Sequence, residues 1–263
     1  MAGPPNRDTD ATTNLVIPCY NEADRLVPAD FTSFVQATPN VSLTFVNDGS
    51  GDRTLDVLRD IASACPNRMQ VLDLEHNSGK AEAVRRGMLH ALTTKADFVG
   101  FWDADLATPL GASSAFIELL RERPVLDMVI GSRVRLLGRT IERRPARHYA
   151  GRVFATAASL TLRLPVYDTQ CGAKLFRASP RLARVLETPF VSSWLFDVEM
   201  IARFGSLSAG YAPESLHGRI HELPLLEWRH MAGSKVRLRH FARAMVDLAR
   251  IYQVYIRNGN GRH

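Results

Sequence analysis

The chain has 263 residues, of which 46% are apolar and 23% are charged. This length and composition exclude a disordered protein and favour one elaborated domain over two small ones. No apolar run approaches the roughly 18 residues that a membrane-spanning helix needs. The three cysteines are widely spaced, which argues against a disulfide framework or a zinc site and is typical of a cytoplasmic protein.

The net charge of +6 comes almost entirely from arginine. Lysine occurs only at Lys80, Lys95, Lys174 and Lys235. Because arginine binds phosphate oxygens in a bidentate manner, this bias predicts a phosphate-bearing partner, namely a nucleotide, an anionic membrane surface or a nucleic acid. A solvated basic surface is the alternative explanation for part of this charge.

The first half of the chain alternates apolar, β-branched runs with amphipathic segments. The predicted strands are residues 14–18, 41–46, 69–74, 98–102 and 128–130. The predicted helices are residues 29–36, 52–64, 80–92 and 112–121. Strands that alternate with helices indicate an α/β fold with a mostly parallel sheet flanked by helices. Ligands bind such sheets beyond the carboxyl ends of the strands.

The second half is less regular. It contains predicted helices at residues 147–164 and 197–204, an irregular stretch at 166–176 and a last strand near 223–228. A long basic amphipathic helix is predicted for residues 236–256. We therefore expect an N-terminal tail at 1–13, one domain at 14–235, and a basic helix with its tail at 236–263.

Polar residues follow each of the first five predicted strands. Among them, Asp103 and Asp105 come directly after an apolar strand, in the sequence FWDAD. Side chains at i and i+2 of an extended chain point the same way, so both carboxylates can converge on one divalent cation, whose remaining ligands would be phosphate oxygens. An acidic loop without a ligand is the alternative for this pair alone. Five such strand ends on one rim of a sheet indicate a binding site.

These motifs, in this order, resemble the family-two inverting glycosyltransferases of the GT-A fold, from Leu15 to about Tyr252. Residues 168–176 (DTQCGAKLF), 194–199 (WLFDVE) and 233–235 (GSK) resemble the signature of dolichyl-phosphate β-glucosyltransferases and other polyprenyl-phosphate glycosyltransferases. Many of those relatives carry a membrane helix, which this sequence lacks. Two residues depart from the glucosyltransferase pattern. Leu106 stands where glycine is usual, and Arg229 stands where histidine is usual, as in the mannosyltransferases.

The resemblance implies transfer of a hexose with inversion to a polyprenyl phosphate. UDP-glucose is the expected donor and GDP-mannose the alternative. Asp105, and Asp103 either directly or through a water molecule, are expected to hold Mg²⁺ or Mn²⁺ against the diphosphate. The residues expected to bind the nucleotide sugar are Pro18, Tyr20, Glu22, Asp48, Lys80, Asp103, Ala104, Asp105, Gln170 and Lys235.

Several of these residues have a second explanation. Asp48 binds the base or ribose, caps a helix, or does both. Lys80 reaches the nucleotide or merely opens the helix that follows it. Lys235 closes on the diphosphate from a loop hinged at Gly233, or it is an ordinary surface lysine.

A phosphate acceptor needs no general base, since a phosphomonoester is already anionic near neutral pH. It needs cations that hold it in line. The expected acceptor-phosphate ligands are Arg133, Arg143, Arg144, Arg147 and Arg229, with one of the middle three sufficient. Asp197 and Glu199 fall where a relative with a hydroxyl acceptor would place its base. They are the remaining catalytic candidates beside Asp103, Asp105 and Arg133, and a structural ion pair is their alternative role.

The helix around 153–162 and the basic C-terminal helix are candidates for contact with a lipid surface. Packing on the core or at a homo-oligomer interface is the alternative. We expect a cytoplasmic protein, either free or peripheral on the inner face of the membrane. Nucleic acid is not an expected partner.

Three other functions are weaker predictions. A soluble, non-lipid acceptor is compatible with the sequence. A sugar nucleotidyltransferase would need a G-x-G-x-R loop after the first strand, where this chain has PCYNE. A non-catalytic basic module would leave the five polar strand ends unexplained.

Overall fold

The computed structural model describes residues 11–141, 145–207, 211–229 and 238–257. Nine strands lie within these ranges and form two sheets. They are β1 (Thr13–Cys19), β2 (Val41–Asp48), β3 (Met69–Leu74), β4 (Phe98–Trp102), β5 (Met128–Ser132), β6 (Thr140–Ile141), β7 (Ala173–Arg177), β8 (Ile220–Pro224) and β9 (Glu227–Trp228). The main sheet has the order β3–β2–β1–β4–β7–β5–β8, and β6 pairs with β9 in a small second sheet.

Eight α-helices connect or flank these strands in the described ranges. They are α1 (Pro28–Ala37), α2 (Thr54–Ser63), α3 (Lys80–Thr93), α4 (Ser113–Glu122), α5 (Pro145–Leu162), α6 (Pro180–Leu186), α7 (Phe196–Gly205) and α8 (Leu238–Ile251). A π-helical turn, Tyr252–Arg257, extends α8. The predicted α/β class with a mostly parallel sheet is confirmed, and the five predicted strands lie within one to two residues of their observed ends.

The prediction of an irregular stretch at 166–176 is wrong at its carboxyl end. β7 lies antiparallel between β4 and β5. It pairs with β4 along its whole length and with β5 at residues 174–176. The sequence of β7, AKLFR, did not indicate a buried strand because it contains a lysine. That lysine, Lys174, is nevertheless fully buried. Because β7 runs against its neighbours, its amino end shares an edge with the carboxyl ends of the parallel strands. It therefore brings the segment before it, residues 168–172, to the predicted binding rim.

Two hydrophobic cores cover the two faces of the sheet. One core includes residues of α3, α5, α6, α7 and α8, and the other includes residues of α1, α2 and α4. This arrangement buries the strands on both sides, which explains their nearly continuous apolar sequences.

The C-terminal helix α8 packs on the rest of the protein. Leu248 and Ile251 are buried in the first core, and the buried Asp247 accepts a hydrogen bond of 2.8 Å from the Ser192 hydroxyl. The predicted domain boundary at 235 falls outside the described residues. No helix in the described ranges combines the length and the apolarity that crossing a membrane requires.

Candidate active site

Asp103 and Asp105 form a tight turn at the carboxyl end of β4. The amide of Asp103 donates to the carbonyl of Gly172, and the amide of Ala107 donates to the Asp105 carboxylate at 3.0 Å. Leu106 closes the turn in the left-handed region, with φ +48°. The turn presents both carboxylates at the rim while Ala104 between them is buried.

Gly172 lets the Asp103 carboxylate lie directly on the neighbouring backbone. A Cβ atom at this position would come within 1.9 Å of Asp103 Oδ2, far inside van der Waals contact. The glycine of the DTQCG segment therefore has a steric role at the site, which the sequence alone did not assign to it.

The two carboxylates fit a hard divalent cation that keeps open positions. Partial burial raises the pKa of Asp105, and the neighbouring charge of Asp103 raises it further. A bound cation would counter both effects, because its positive charge lowers the pKa of Asp105. Within the described ranges, no third His, Cys, Asp or Glu joins them in a metal-binding group. A cation on this pair would thus be completed by water or by ligand oxygens, as is usual for Mg²⁺.

Lys80, the first residue of α3, contacts this pair. Its Nζ lies 2.5 Å from Asp103 Oδ1, and the side chain is 46% exposed. Burial would lower the pKa of Lys80, but the carboxylates of Asp103, Asp197 and Asp105 outweigh this and raise it. Lys80 is therefore protonated and brings a positive charge to the site.

A second lysine lies beneath the site. Lys174 of β7 is fully buried and donates to Asp197 Oδ1 at 2.5 Å and to the Cys171 carbonyl at 2.6 Å. Its ammonium lies 5.1 Å from the centre of the Phe101 ring. Burial raises the pKa of Asp197, against the opposing charges of Lys174 and then Lys80. Asp197 is therefore a carboxylate that is ion-paired with Lys174.

Glu199 does not reach the site. It is fully buried, and its two oxygens accept the amides of Val191 and Ser192, the guanidinium of Arg203 and the hydroxyl of Tyr255. The structure thus gives Glu199 the structural ion pair that was its alternative role, joining α7 to the end of α8.

The loops after β1 and β2 support each other beside the acidic turn. Asn21, with φ +52°, donates its amide to the Ser50 hydroxyl and accepts the amide of Gly51. The Glu22 amide donates to the Thr54 hydroxyl, and the Glu22 carboxylate pairs with Arg25. Tyr20 is 48% exposed at the same loop. Pro18 lies in β1, in register with Val46.

Asp48 fixes a third loop. Its two carboxylate oxygens accept the amides of Ser78 and Gly79 at 2.7 and 2.8 Å, and the residue is 2% exposed. It orders the segment that leads into Lys80, rather than capping α2. Its predicted contact with a base or ribose stays a prediction.

Arg133 lies at the end of β5 and is held by Asp168. Two side-chain hydrogen bonds of 2.7 Å and one backbone hydrogen bond of 3.0 Å join them. Asp168 and Tyr167 in turn donate their amides to Glu222 of β8. The Arg133 guanidinium also lies 5.5 Å from the centre of the Trp228 ring. This network fixes Arg133 firmly, and the charge of Asp168 helps to raise its pKa despite burial.

A small cavity of about 50 Å³ adjoins Arg133. Arg152, Thr169 and Gln170 also line it. The guanidinium of Arg152 stacks 3.8 Å from the centre of the Tyr167 ring, and the buried Thr169 hydroxyl has no partner among the described residues. Gln170, predicted to bind the nucleotide sugar, thus lies on the Arg133 side of the site. Neither Arg152 nor Thr169 is among the site residues predicted from the sequence.

The remaining candidates are only partly described. Arg229 is exposed, pairs with Glu227, and donates its backbone amide to Ala107 beside the acidic turn at 2.8 Å. Arg143, Arg144 and Lys235 lie outside the described residues, as does the side chain of Arg147. A larger groove of about 590 Å³ lies elsewhere, between β3 and α3, and contains none of the candidate residues.

An acidic turn at the carboxyl edge of the sheet, where α/β folds bind their ligands, and an antiparallel strand inserted into an otherwise parallel sheet agree with a glycosyltransferase of the GT-A fold. The chain belongs to glycosyl transferase family 2, whose sequence profile matches residues 14–181. It is a glycosyltransferase.

The chain is similar to dolichyl-phosphate beta-glucosyltransferases. It is 28% identical to one from Trichomonas vaginalis, over 95% of this chain and 73% of that protein. It is 31% identical to one from Drosophila melanogaster, over 85% of this chain and 68% of that protein.

The fold is similar to that of glucosyl-3-phosphoglycerate synthase from Mycobacterium tuberculosis, solved in complex with Mn²⁺, UDP and glucosyl-3-phosphoglycerate. The TM-score is 0.63 at 18% identity, with 93% of this chain and 81% of that chain covered. This likeness supports the predicted GT-A fold.

Proposed function

We propose that this protein transfers glucose from UDP-glucose to a polyprenyl phosphate, with inversion at the anomeric carbon and with a divalent cation. The bond between the anomeric carbon and the diphosphate breaks, and UDP leaves with the bonding electrons. A phosphate oxygen of the acceptor attacks from the opposite face and forms the new bond. The similarity to dolichyl-phosphate beta-glucosyltransferases supports this choice of sugar and acceptor.

The acidic turn over Gly172 carries the donor half of the proposal. Asp103 and Asp105 are the residues that would hold the cation, and Gly172 leaves the space that the Asp103 carboxylate needs. When bound, Mg²⁺ or Mn²⁺ would neutralise charge that develops on the leaving diphosphate. Lys80 adds a further positive charge within reach of the same group.

The contacts of the two other candidate carboxylates, Asp197 and Glu199, support a phosphate acceptor. Asp197 is paired with Lys174, and Glu199 is buried in a structural network. A hydroxyl acceptor would need one of them as a general base, whereas a phosphate dianion does not. Arg133, fixed by Asp168 at the rim, is the described cation best placed to orient such a phosphate.

The outer faces of two contacting helices support a peripheral position on an anionic membrane. On α8 and its π-helical turn, Met245, Val246, Tyr252 and Val254 are exposed. On α5, Val153 and Leu160 are exposed. Arginines accompany them, and the one acid among residues 243–257, Asp247, is buried. Exposed apolar side chains mixed with cations are typical of helices that lie in the headgroup region.

Release of nucleoside diphosphate tests the reaction. UDP-glucose and GDP-mannose are compared as donors, each with Mg²⁺ or Mn²⁺, with polyprenyl phosphate in detergent or with the matching polyprenol as control. We expect UDP release that requires UDP-glucose, cation and lipid phosphate together. Preference for GDP-mannose would make the protein a mannosyltransferase. Turnover only with a soluble acceptor, such as phosphoglycerate, would overturn the lipid acceptor.

The Arg133→Lys variant tests the acceptor site separately. Lysine keeps the charge but loses the planar, bidentate contact with Asp168. We expect the KM for polyprenyl phosphate to rise about tenfold or more, with the KM for UDP-glucose little changed. An equal rise in both KM values would show that Arg133 is not specific to the acceptor site.

A further inference from the structure

Lys80 contacts one carboxylate oxygen of the turn that is proposed to hold the cation. Its Nζ lies 2.5 Å from Asp103 Oδ1, inside the turn that also presents Asp105. An ammonium has three donors and no lone pair, so it cannot join the cation's coordination shell. It competes with a divalent cation for the same carboxylate, and the two positive charges repel each other.

The Lys80 side chain is partly exposed in acidic surroundings. It is 46% exposed, and the charge of Asp197 helps, after that of Asp103, to hold the pKa of Lys80 above its ordinary value. Lys174, by contrast, is buried and donates to Asp197 at 2.5 Å. Lys80 is therefore the lysine of the two whose side chain has open space to move into.

We propose that Lys80 is a displaceable counter-ion of the acidic turn: it neutralises Asp103 while the cation is absent, and cation binding displaces it toward the donor's diphosphate. This rests on the proposed cation site. Lys80 is then a positioning residue whose location reports whether the cation is bound. Its displacement would deliver a positive charge to the leaving group only after the cation is in place.

Direct binding of Mn²⁺ in the absence of nucleotide tests the competition. Removing the competitor in Lys80→Met should tighten Mn²⁺ binding by about two- to fivefold, the factor that corresponds to a partly exposed ion pair. Lys80→Arg, which keeps the charge, should bind like the wild type. Arg86→Met is the matched control, because Arg86 lies on the same helix, is about half exposed and pairs with Glu82. Unchanged or weaker Mn²⁺ binding in Lys80→Met would overturn the proposal.

A second measurement follows the wild-type side chain itself. The sequence has four lysines, so labelling their ε-carbons with ¹³C gives few NMR signals, and Lys80→Arg assigns the one of interest. Titration with Mg²⁺ should shift the Lys80 signal in a saturable manner and leave that of Lys95 unchanged. If Mg²⁺ binding saturates and the ¹³C signal of Lys80 does not move, the proposed displacement is wrong. Failure of both wild type and Lys80→Met to bind any cation would overturn the cation site of the proposed function as well.

Discussion

The α-carbon of Gly172 lies beneath the carboxylate of Asp103, so close that a methyl group there would fall 1.9 Å from Oδ2. The amide of Asp103 also donates to the Gly172 carbonyl at 2.9 Å. Two strands of opposite direction, β4 and β7, thus meet at the acidic turn. The position of one carboxylate depends on the absence of a side chain on the other strand.

Gly172→Ala should therefore disable the acidic turn. The added methyl group forces Asp103 away, and we expect activity to fall by about 100-fold or more, since small displacements of positioning groups cost this much. Turnover with UDP-glucose and Mn²⁺ affinity are the measurements. Gly111→Ala is the matched control, because a Cβ atom there meets nothing within 4 Å. Wild-type Mn²⁺ binding in Gly172→Ala would contradict the assigned role.

Asp105→Asn should separate stability from function. The folded protein raises the pKa of Asp105, chiefly through burial, so ionising this group disfavours the folded state. That cost appears as the pH rises through the ordinary range of an aspartate and is complete above the raised pKa. We expect Asp105→Asn to have a higher Tm than the wild type at neutral pH, without added cation.

The same variant should lose the stabilisation that Mn²⁺ gives the wild type, because only a carboxylate offers the cation a charged ligand. Tm measured with and without Mn²⁺, at neutral pH and at low pH, checks both expectations. The Tm difference between the two proteins should vanish at low pH, where both groups are uncharged. A lower Tm for Asp105→Asn at neutral pH would contradict this account.

The strand ends were predictable from the sequence because each depends on local pattern. Apolar runs ending in DGS, NSGK and DAD predict parallel strands with polar carboxyl ends, and the structure confirms the strands. β7 was not predictable in this way. The charge of Lys174 at its centre is compensated by Asp197, which lies 23 residues further along the chain. Such long-range pairing leaves no local signal.

The sequence showed that Leu106 departs from the glucosyltransferase pattern, and the structure explains why glycine is usual at this position. Glycine is usual at this position in the glucosyltransferases that the sequence resembles. Leu106 has φ +48°, a region that costs a non-glycine residue roughly 1–2 kcal/mol. Its side chain packs partly against the second core, which offsets some of that cost. The preference for glycine thus reflects the turn rather than the sugar.

Glu199→Gln should reduce stability and spare catalysis. Glu199 is buried and paired with Arg203 at 2.7 Å, and losing one partner of a buried pair costs about 3–5 kcal/mol. We expect a lower free energy of unfolding in urea, with kcat near the wild-type value wherever the variant is folded. Asp197→Asn is the contrasting variant, since Asp197 pairs with Lys174, on the strand next to the acidic turn. A loss of kcat in folded Glu199→Gln, without loss of stability, would return Glu199 to the catalytic candidates.

Val246→Glu tests the exposed face of α8 as a membrane contact. Val246 is 53% exposed beside Met245, so glutamate there adds a negative charge to an apolar and basic face without disturbing the core. We expect binding to vesicles that contain anionic lipid to weaken by about tenfold, because apolar contact is lost and the added charge is repelled. Cosedimentation with such vesicles measures this, and turnover with a short, water-soluble acceptor phosphate should stay unchanged. Val125→Glu is the matched control, since Val125 is 56% exposed in the loop before β5. Equal vesicle binding by both variants would assign the α8 face to another partner, such as a second copy of the chain.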